Sequence, residues 1–220
     1  MHKTIKLGIA ASALLILLTG ASVMGDDTQP AADRVNTKPE TVKDANDFTL
    51  PDLDGKPVQL GSFKGKKIVV LEWVNYDCPF VKAHYSKELP TSTALYLKYK
   101  DKDVVWLLIN STYYATAESV KEWAAGLKLA LPVLMDTDGK IGRLYKAQTT
   151  PHLFVISKEG KLVYEGAFDN APLGKTPADE SYLNYVDRVL EELTNGKEVS
   201  IRKTKPYGCT VKYPPSEKSR

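Results

Sequence analysis

The stretch "NYDCPFVKAHY", Asn75 to Tyr85, carries one of only two cysteines in a 220-residue chain. The chemistry such a residue offers is nucleophilic thiol chemistry, performed by the thiolate rather than the thiol. Cys78 stands where an apolar run ends and a helix can begin. There, unpaired backbone N–H groups and the positive end of the helix dipole favour the thiolate. Pro79 suits the first helical position, where its missing N–H costs nothing. Lys82, one turn further on, adds positive charge on the same face. Asp77 acts in the opposite sense, because a neighbouring carboxylate raises a thiol pKa. The residues alone leave the net sign open, and they equally allow an inert cysteine packed as a small hydrophobe. On a 3.6-residue period His84 is rotated well away from Cys78, and His152 opens a later strand. One cysteine with two scattered histidines makes no zinc pattern, so no metal or other cofactor is expected. Both histidines read as surface or satisfied core residues.

Recognisable elements surround this turn. Asp54-Gly55 in "DFTLPDLDGKPVQL" separates two short segments that can pair as a hairpin. "KKIVVLEWV" reads as a strand buried on both faces and leads straight into the cysteine. After Cys78 the pattern is helical to about Lys100, with Pro90 expected to break or kink it. "DVVWLLIN" is a second buried strand, and "TAESVKEWAAGLKL" is a helix capped by Thr116 with Glu118 in its first turn. "LPVLMD" is a third strand, followed by Asp138-Gly139 and a brief helix through "KIGRLY". "HLFVIS", the turn "KEGK" and "KLVYEGAF" spell a β-hairpin. A last helix is predicted from a Thr176 cap, with Pro177 first, Asp179 and Glu180 on the dipole, and Asn195-Gly196 at its end. Leu183, Val186, Leu190 and Leu193 give it one apolar face. Trp73, Trp106 and Trp123 are expected in the core, and Tyr76, Tyr113 and Tyr114 in core or surface packing. Strands alternating with helices, closed by a hairpin and a covering helix, predict one three-layer α/β domain.

The chain's ends and charge narrow the setting. "MHKTIK", the twelve-residue apolar run "LGIAASALLILL" and the small residues of "TGASVMG" form the three parts of a secretory signal. The run is short for a membrane span, so residues 1–25 are predicted to be cleaved after Gly25, with Ala21 as a second candidate and an uncleaved anchor as the alternative. Removing Lys3 and Lys6 takes the net charge from +3 to about +1. The remaining charges are interleaved, so nucleic acid is not an expected partner. Residues 26–45 read as a polar, flexible lead-in and 214–220 as a polar tail. An exported protein meets an oxidising compartment, where disulfides persist.

Three segments, in order, resemble a known family. "DFTLPDLDGKPVQLGSFKGKKIVVLEWV" resembles the opening of redoxin domains. "DCPFVK" resembles the peroxidatic-cysteine turn of the alkyl hydroperoxide reductase/thiol-specific antioxidant superfamily. "TPHLFVISKEGKLVYEGAFDN" is similar to the Thr-Pro, strand, turn and strand of thioredoxin folds. A peroxiredoxin-like branch also ends in a motif matched here by "GCTVKY", Gly208 to Tyr213. The resemblance spans residues 46–213 and implies a thioredoxin-like fold, a central mixed sheet flanked by helices with an N-terminal β-hairpin extension. It implies a cis proline at Pro151, so that Thr150 and Pro151 lie near Cys78, and an exported thiol-dependent oxidoreductase. Its substrates would be a peroxide or a protein disulfide or thiol, renewed by an external thiol reductant. The chain departs from the pattern at Asn75, where thioredoxins carry a first cysteine and peroxiredoxins a threonine, and it lacks the arginine of peroxiredoxins. Cys209 is then the possible partner of Cys78: a resolving thiol, a structural bridge, or a thiol that never meets it. Such a bridge closes a loop of about 130 residues, worth roughly 4–5 kcal/mol by chain entropy. The structural bridge implies the rival reading, a non-catalytic binding module.

Overall fold

The computed structural model describes residues 42–86 and 91–215; the expected signal segment, most of the lead-in, Pro90 and residues 216–220 lie outside the described residues. In chain order the elements are β1 (Thr49–Pro51), β2 (Pro57–Gln59), β3 (Ile68–Trp73), α1 (Pro79–Tyr85), α2 (Thr91–Tyr99), β4 (Val104–Asn110) and α3 (Ala117–Gly126). There follow β5 (Val133–Met135), α4 (Lys140–Tyr145), β6 (Thr149–Thr150), β7 (His152–Ile156), β8 (Leu162–Gly166), α5 (Tyr185–Thr194) and β9 (Cys209–Thr210). The main sheet runs β5-β4-β3-β7-β8, with β3, β4 and β5 parallel and β7 and β8 antiparallel to their neighbours. It is the mixed sheet of a thioredoxin-like fold. β1 and β2 form the expected hairpin, turned at Gly55 with φ 80°, a left-handed conformation that glycine adopts freely.

The central position of β3 explains its sequence: all six residues are buried, so apolar side chains serve both faces. Val70 and Val74 meet a layer built from Val81 and Tyr85 of α1, Tyr99 of α2 and Val186 and Leu190 of α5. Val69, Leu71 and Trp73 face the other way, toward Phe48, Leu50 and Tyr145. Trp73 lies edge-on to Phe154 at 5.1 Å.

Three features differ from the sequence expectation or lie outside it. The last helix starts at Tyr185, not near Thr176. Residues 169–184 fold back on themselves, with Asp169 bridged to Asn184, Asn170 N donating to Leu183 O, and Asn170 Nδ2 donating to Glu180 and to the Ser181 carbonyl. Thr176 and Pro177 lie in this loop, and the cap is Asn184, whose side chain accepts from Asp187 N at 2.9 Å. Lys43–Ala45, read as the end of the lead-in, run beside the β7–β8 hairpin through Leu162 N to Lys43 O and Ala45 N to Gly160 O. Finally, β6 and β9 form a two-stranded antiparallel sheet that no sequence pattern announced.

Candidate active site at Cys78

Asn75 builds the turn that presents Cys78. It is buried, its side-chain oxygen accepts from Asp77 N at 2.8 Å, and its backbone oxygen accepts from Cys78 N at 3.0 Å. Cys78 is the N-cap of α1, with Pro79 in the first helical position as expected. The Thr150–Pro151 bond is cis, and the Cys78 sulfur lies 2.9 Å from the Thr150 carbonyl oxygen, to which the neutral thiol donates. Thr150 in turn pairs with Cys209 across β6 and β9. The structure therefore brings Cys78, Thr150, Pro151 and Cys209 together around one strand-to-helix turn. Both cysteines are free thiols, Cys78 buried and Cys209 half-buried. The segment bearing Cys209 passes so close to Thr150 that a Cβ at Gly208, where φ is 131°, would stand 2.1 Å from the Thr150 carbonyl oxygen.

The two thiols differ in acidity. Burial and the Thr150 carbonyl favour the neutral form of Cys78. Against them act the Cys209 thiol, the Thr150 hydroxyl and the backbone N–H groups of Val81 and Cys209, and these donors hold Cys78 below an ordinary thiol. The Thr150 hydroxyl is buried with no hydrogen-bond partner, and it favours the thiolate of Cys78. Cys209 is pushed up to about 11, by burial first, then by donating to Cys78 and by its negative charge, with Lys212 a small offset. One of the pair is thus the preferred thiolate and the other its proton-bearing neighbour.

Other expected contributors stand apart. Lys82 is exposed and is not among the groups that shift the Cys78 thiol, and neither is Asp77, whose carboxylate accepts from Tyr114 OH at 3.2 Å. Tyr113 and Tyr114 are exposed and meet edge-to-face at 5.1 Å beside this turn. His84 is buried, stacked on Phe168 and 2.9 Å from Tyr207 OH. His152 is buried, accepts from Gln148 N, and burial lowers it to about 4. Among the described residues no three His, Cys, Asp or Glu side chains are grouped to hold a metal. A cavity of about 250 Å³ lined by Leu60, Phe63, Val69 and Ile156 lies at the opposite end of β3 and touches none of these residues.

Sequence reasoning missed Glu72. It is fully buried beneath α1 and α2 and accepts from Ser92 Oγ at 2.7 Å, Trp106 Nε1 at 2.8 Å and Tyr85 OH at 3.2 Å. Burial pushes it up to about 7, against the three hydrogen bonds. A single carboxylate inside the apolar run "IVVLEWV" was the available signal.

The AhpC/TSA family matches residues 42–165, more than half of the chain. The chain belongs to the AhpC/TSA family. Cys78 falls within the matched AhpC/TSA segment and Cys209 beyond it. The chain is 32% identical over 152 residues to the thiol-disulfide oxidoreductase ResA of Bacillus cereus, covering 69% of this chain and 83% of that protein. To ResA of Bacillus anthracis it is 31% identical over 150 residues, covering 68% and 82%. Among solved structures, an uncharacterized conserved protein from Geobacillus kaustophilus superposes with a TM-score of 0.69 at 26% identity, over 82% of this chain and 95% of that one. A putative thiol:disulfide interchange protein DsbE from Chlorobium tepidum gives 0.52 at 23% identity, over 71% and 96%. The last likeness supports the fold alone.

Proposed function

We propose that this protein is an exported thiol–disulfide oxidoreductase whose working pair is Cys78 and Cys209. The observation that carries the reading is the β6–β9 register, which sets Cys209 opposite Thr150 while the Cys78 sulfur touches that same residue. Cys78 thiolate attacks a substrate disulfide, one substrate sulfur leaves as a thiolate and takes up a proton, and a mixed disulfide forms. Cys209 loses its proton and attacks the Cys78 sulfur, which expels the second substrate thiol and leaves a Cys78–Cys209 bond. Two electrons have then passed to the substrate, and an external thiol reductant restores the dithiol. Asn75, Pro79, Thr150 and Pro151 support the turn, and the Thr150 hydroxyl favours the Cys78 thiolate. The names of the ResA relatives favour a protein disulfide or thiol as substrate.

Membership of the AhpC/TSA family favours a second reading on the same pair. Cys78 thiolate takes one oxygen from a hydroperoxide, the alcohol leaves, and Cys209 condenses with the sulfenic acid to release water. Turnover of a disulfide and of hydrogen peroxide by wild type, Cys78→Ser and Cys209→Ser tests both. Cys78→Ser should be inert, and Cys209→Ser should stop at the mixed disulfide or sulfenic acid. Equal inertness of all three proteins sinks the enzyme reading. A Cys209→Ser protein that differs only in a lower melting temperature makes the bond a structural staple. Export is tested by the intact mass of the protein recovered outside the cytoplasm, which should lack residues 1–25.

A further inference from the structure

The exchange just proposed needs Cys209 delivered to Cys78, yet β9 offers only two paired residues to hold it. The segment is tied upstream, where Thr204 N donates to Glu165 O and Ala167 N donates to the Thr204 hydroxyl. Between that tie and Cys209 stands Tyr207. Its hydroxyl donates to Asp169 Oδ1 at 2.6 Å, and the buried Asp169 takes Tyr182 OH on its other oxygen at 3.1 Å. With its one proton committed to Asp169, the Tyr207 oxygen is left to accept from His84 Nε2, 2.9 Å away. The Tyr207 ring also faces Phe80 at 5.9 Å.

Phe80 and His84 project from α1, the helix that Cys78 begins. Tyr207 and Cys209 flank Gly208, whose bend with φ 131° carries the chain from the side of α1 into β9. One reaches the helix's flank and the other its first residue. Gly208 between them already runs against the Thr150 carbonyl, so this stretch cannot slide without losing both contacts. Cys78 is 2% exposed, so an incoming disulfide reaches it when this strap moves aside, and the strap must return for the second attack.

We propose that Tyr207 is the positioning residue for that return: keyed to Asp169 and His84, it sets the approach of Cys209 to Cys78. The inference rests on the thiol–disulfide reading above. It assigns Tyr207 to the second step, in which the Cys209 sulfur bonds to the Cys78 sulfur, the Cys78–substrate bond breaks, and the substrate sulfur leaves and takes the proton. The first attack gains nothing from a closed strap.

Single-turnover reaction of the reduced full chain with 5,5′-dithiobis(2-nitrobenzoate) separates the steps, since the first aryl thiolate reports attack by the protein and the second reports closure of Cys78–Cys209. Tyr207→Phe should release the first equivalent no more slowly than wild type and the second at least tenfold more slowly. Its dithiol–disulfide equilibrium with glutathione should shift tenfold toward dithiol, about 30 mV for two electrons. Asp169→Asn keeps the ring and removes the charge on its acceptor, should slow the second equivalent less, and carries the test if Tyr207→Phe fails to fold. An unchanged second equivalent, or equal slowing of both, overturns the role of Tyr207 while the exchange reading stands. A wild type that releases a single equivalent overturns the exchange reading itself.

Discussion

At the scale of single residues, the working distinction is between two thiols in contact. Cys78 is held below an ordinary thiol by donors that include Cys209, and Cys209 is pushed up to about 11 in part by donating. Removing the donor should therefore undo the effect: Cys209→Ala raises the Cys78 pKa, read from thiolate absorbance near 240 nm across a pH titration. Thr150→Val should move it in the same direction, because the Thr150 hydroxyl favours the thiolate and has no hydrogen-bond partner to lose. An unchanged titration in both variants would mean that the helix start alone activates the thiol. Pro79 takes the first helical position that was read for it. The sequence reading assigned the charge effects to Lys82 and Asp77, close in the chain, whereas the donors that act are the nearby Val81 N–H together with Thr150 and Cys209, 72 and 131 positions away.

At the scale of elements, legibility followed periodicity. β3, β4, the β7–β8 hairpin, and the Thr116 cap all carry local signals, and each lies where it was read, with Thr116 accepting from Ser119 N at 3.2 Å. The start of α5 was misplaced because Thr176-Pro177 is a sound local signal that the 169–184 loop overrides through long-range bonds to Asp169 and Asn170. Paired truncations separate the two caps. Asn184→Ala should cost about 1 kcal/mol in urea unfolding, and Thr176→Ala should stay within about 0.5 kcal/mol of wild type. The β6–β9 pairing was illegible because each strand has two residues and its register is set by the rest of the fold. Gly208 is the element's weak point. Gly208→Ala meets both the Thr150 carbonyl and a left-handed φ, so it should cost more than about 1 kcal/mol. It should also suppress Cys78–Cys209 bond formation, measured by thiol counting after mild oxidation.

At the scale of the whole molecule, two buried titrating groups act in opposite directions. Glu72 rises from 4.5 to about 7, so the folded state binds the extra proton and stability from this group is lost as pH climbs through that window. His152 falls from 6.5 to about 4, so the unfolded state binds the extra proton and stability is lost as pH falls. Each is worth roughly 3 kcal/mol, and their windows overlap, so wild type conceals both. Single variants should reveal them. Glu72→Gln keeps partners for Ser92, Trp106 and Tyr85 and should gain on wild type by roughly 3 kcal/mol between pH 4.5 and 8. His152→Asn keeps an acceptor for Gln148 N and should lose a similar amount over the same range. Urea unfolding at several pH values measures both, and two flat difference curves would refute the paired titration. The meeting of Cys78 with Cys209 also has a consequence in time. Because Cys209 lies 131 residues further along the chain, synthesis at about 5–20 residues per second delivers the second sulfur on the order of ten seconds after the first. A newborn chain thus carries an unaccompanied Cys78 through that interval, open to whatever oxidant or chaperone it meets, until the arriving C-terminal segment closes the site.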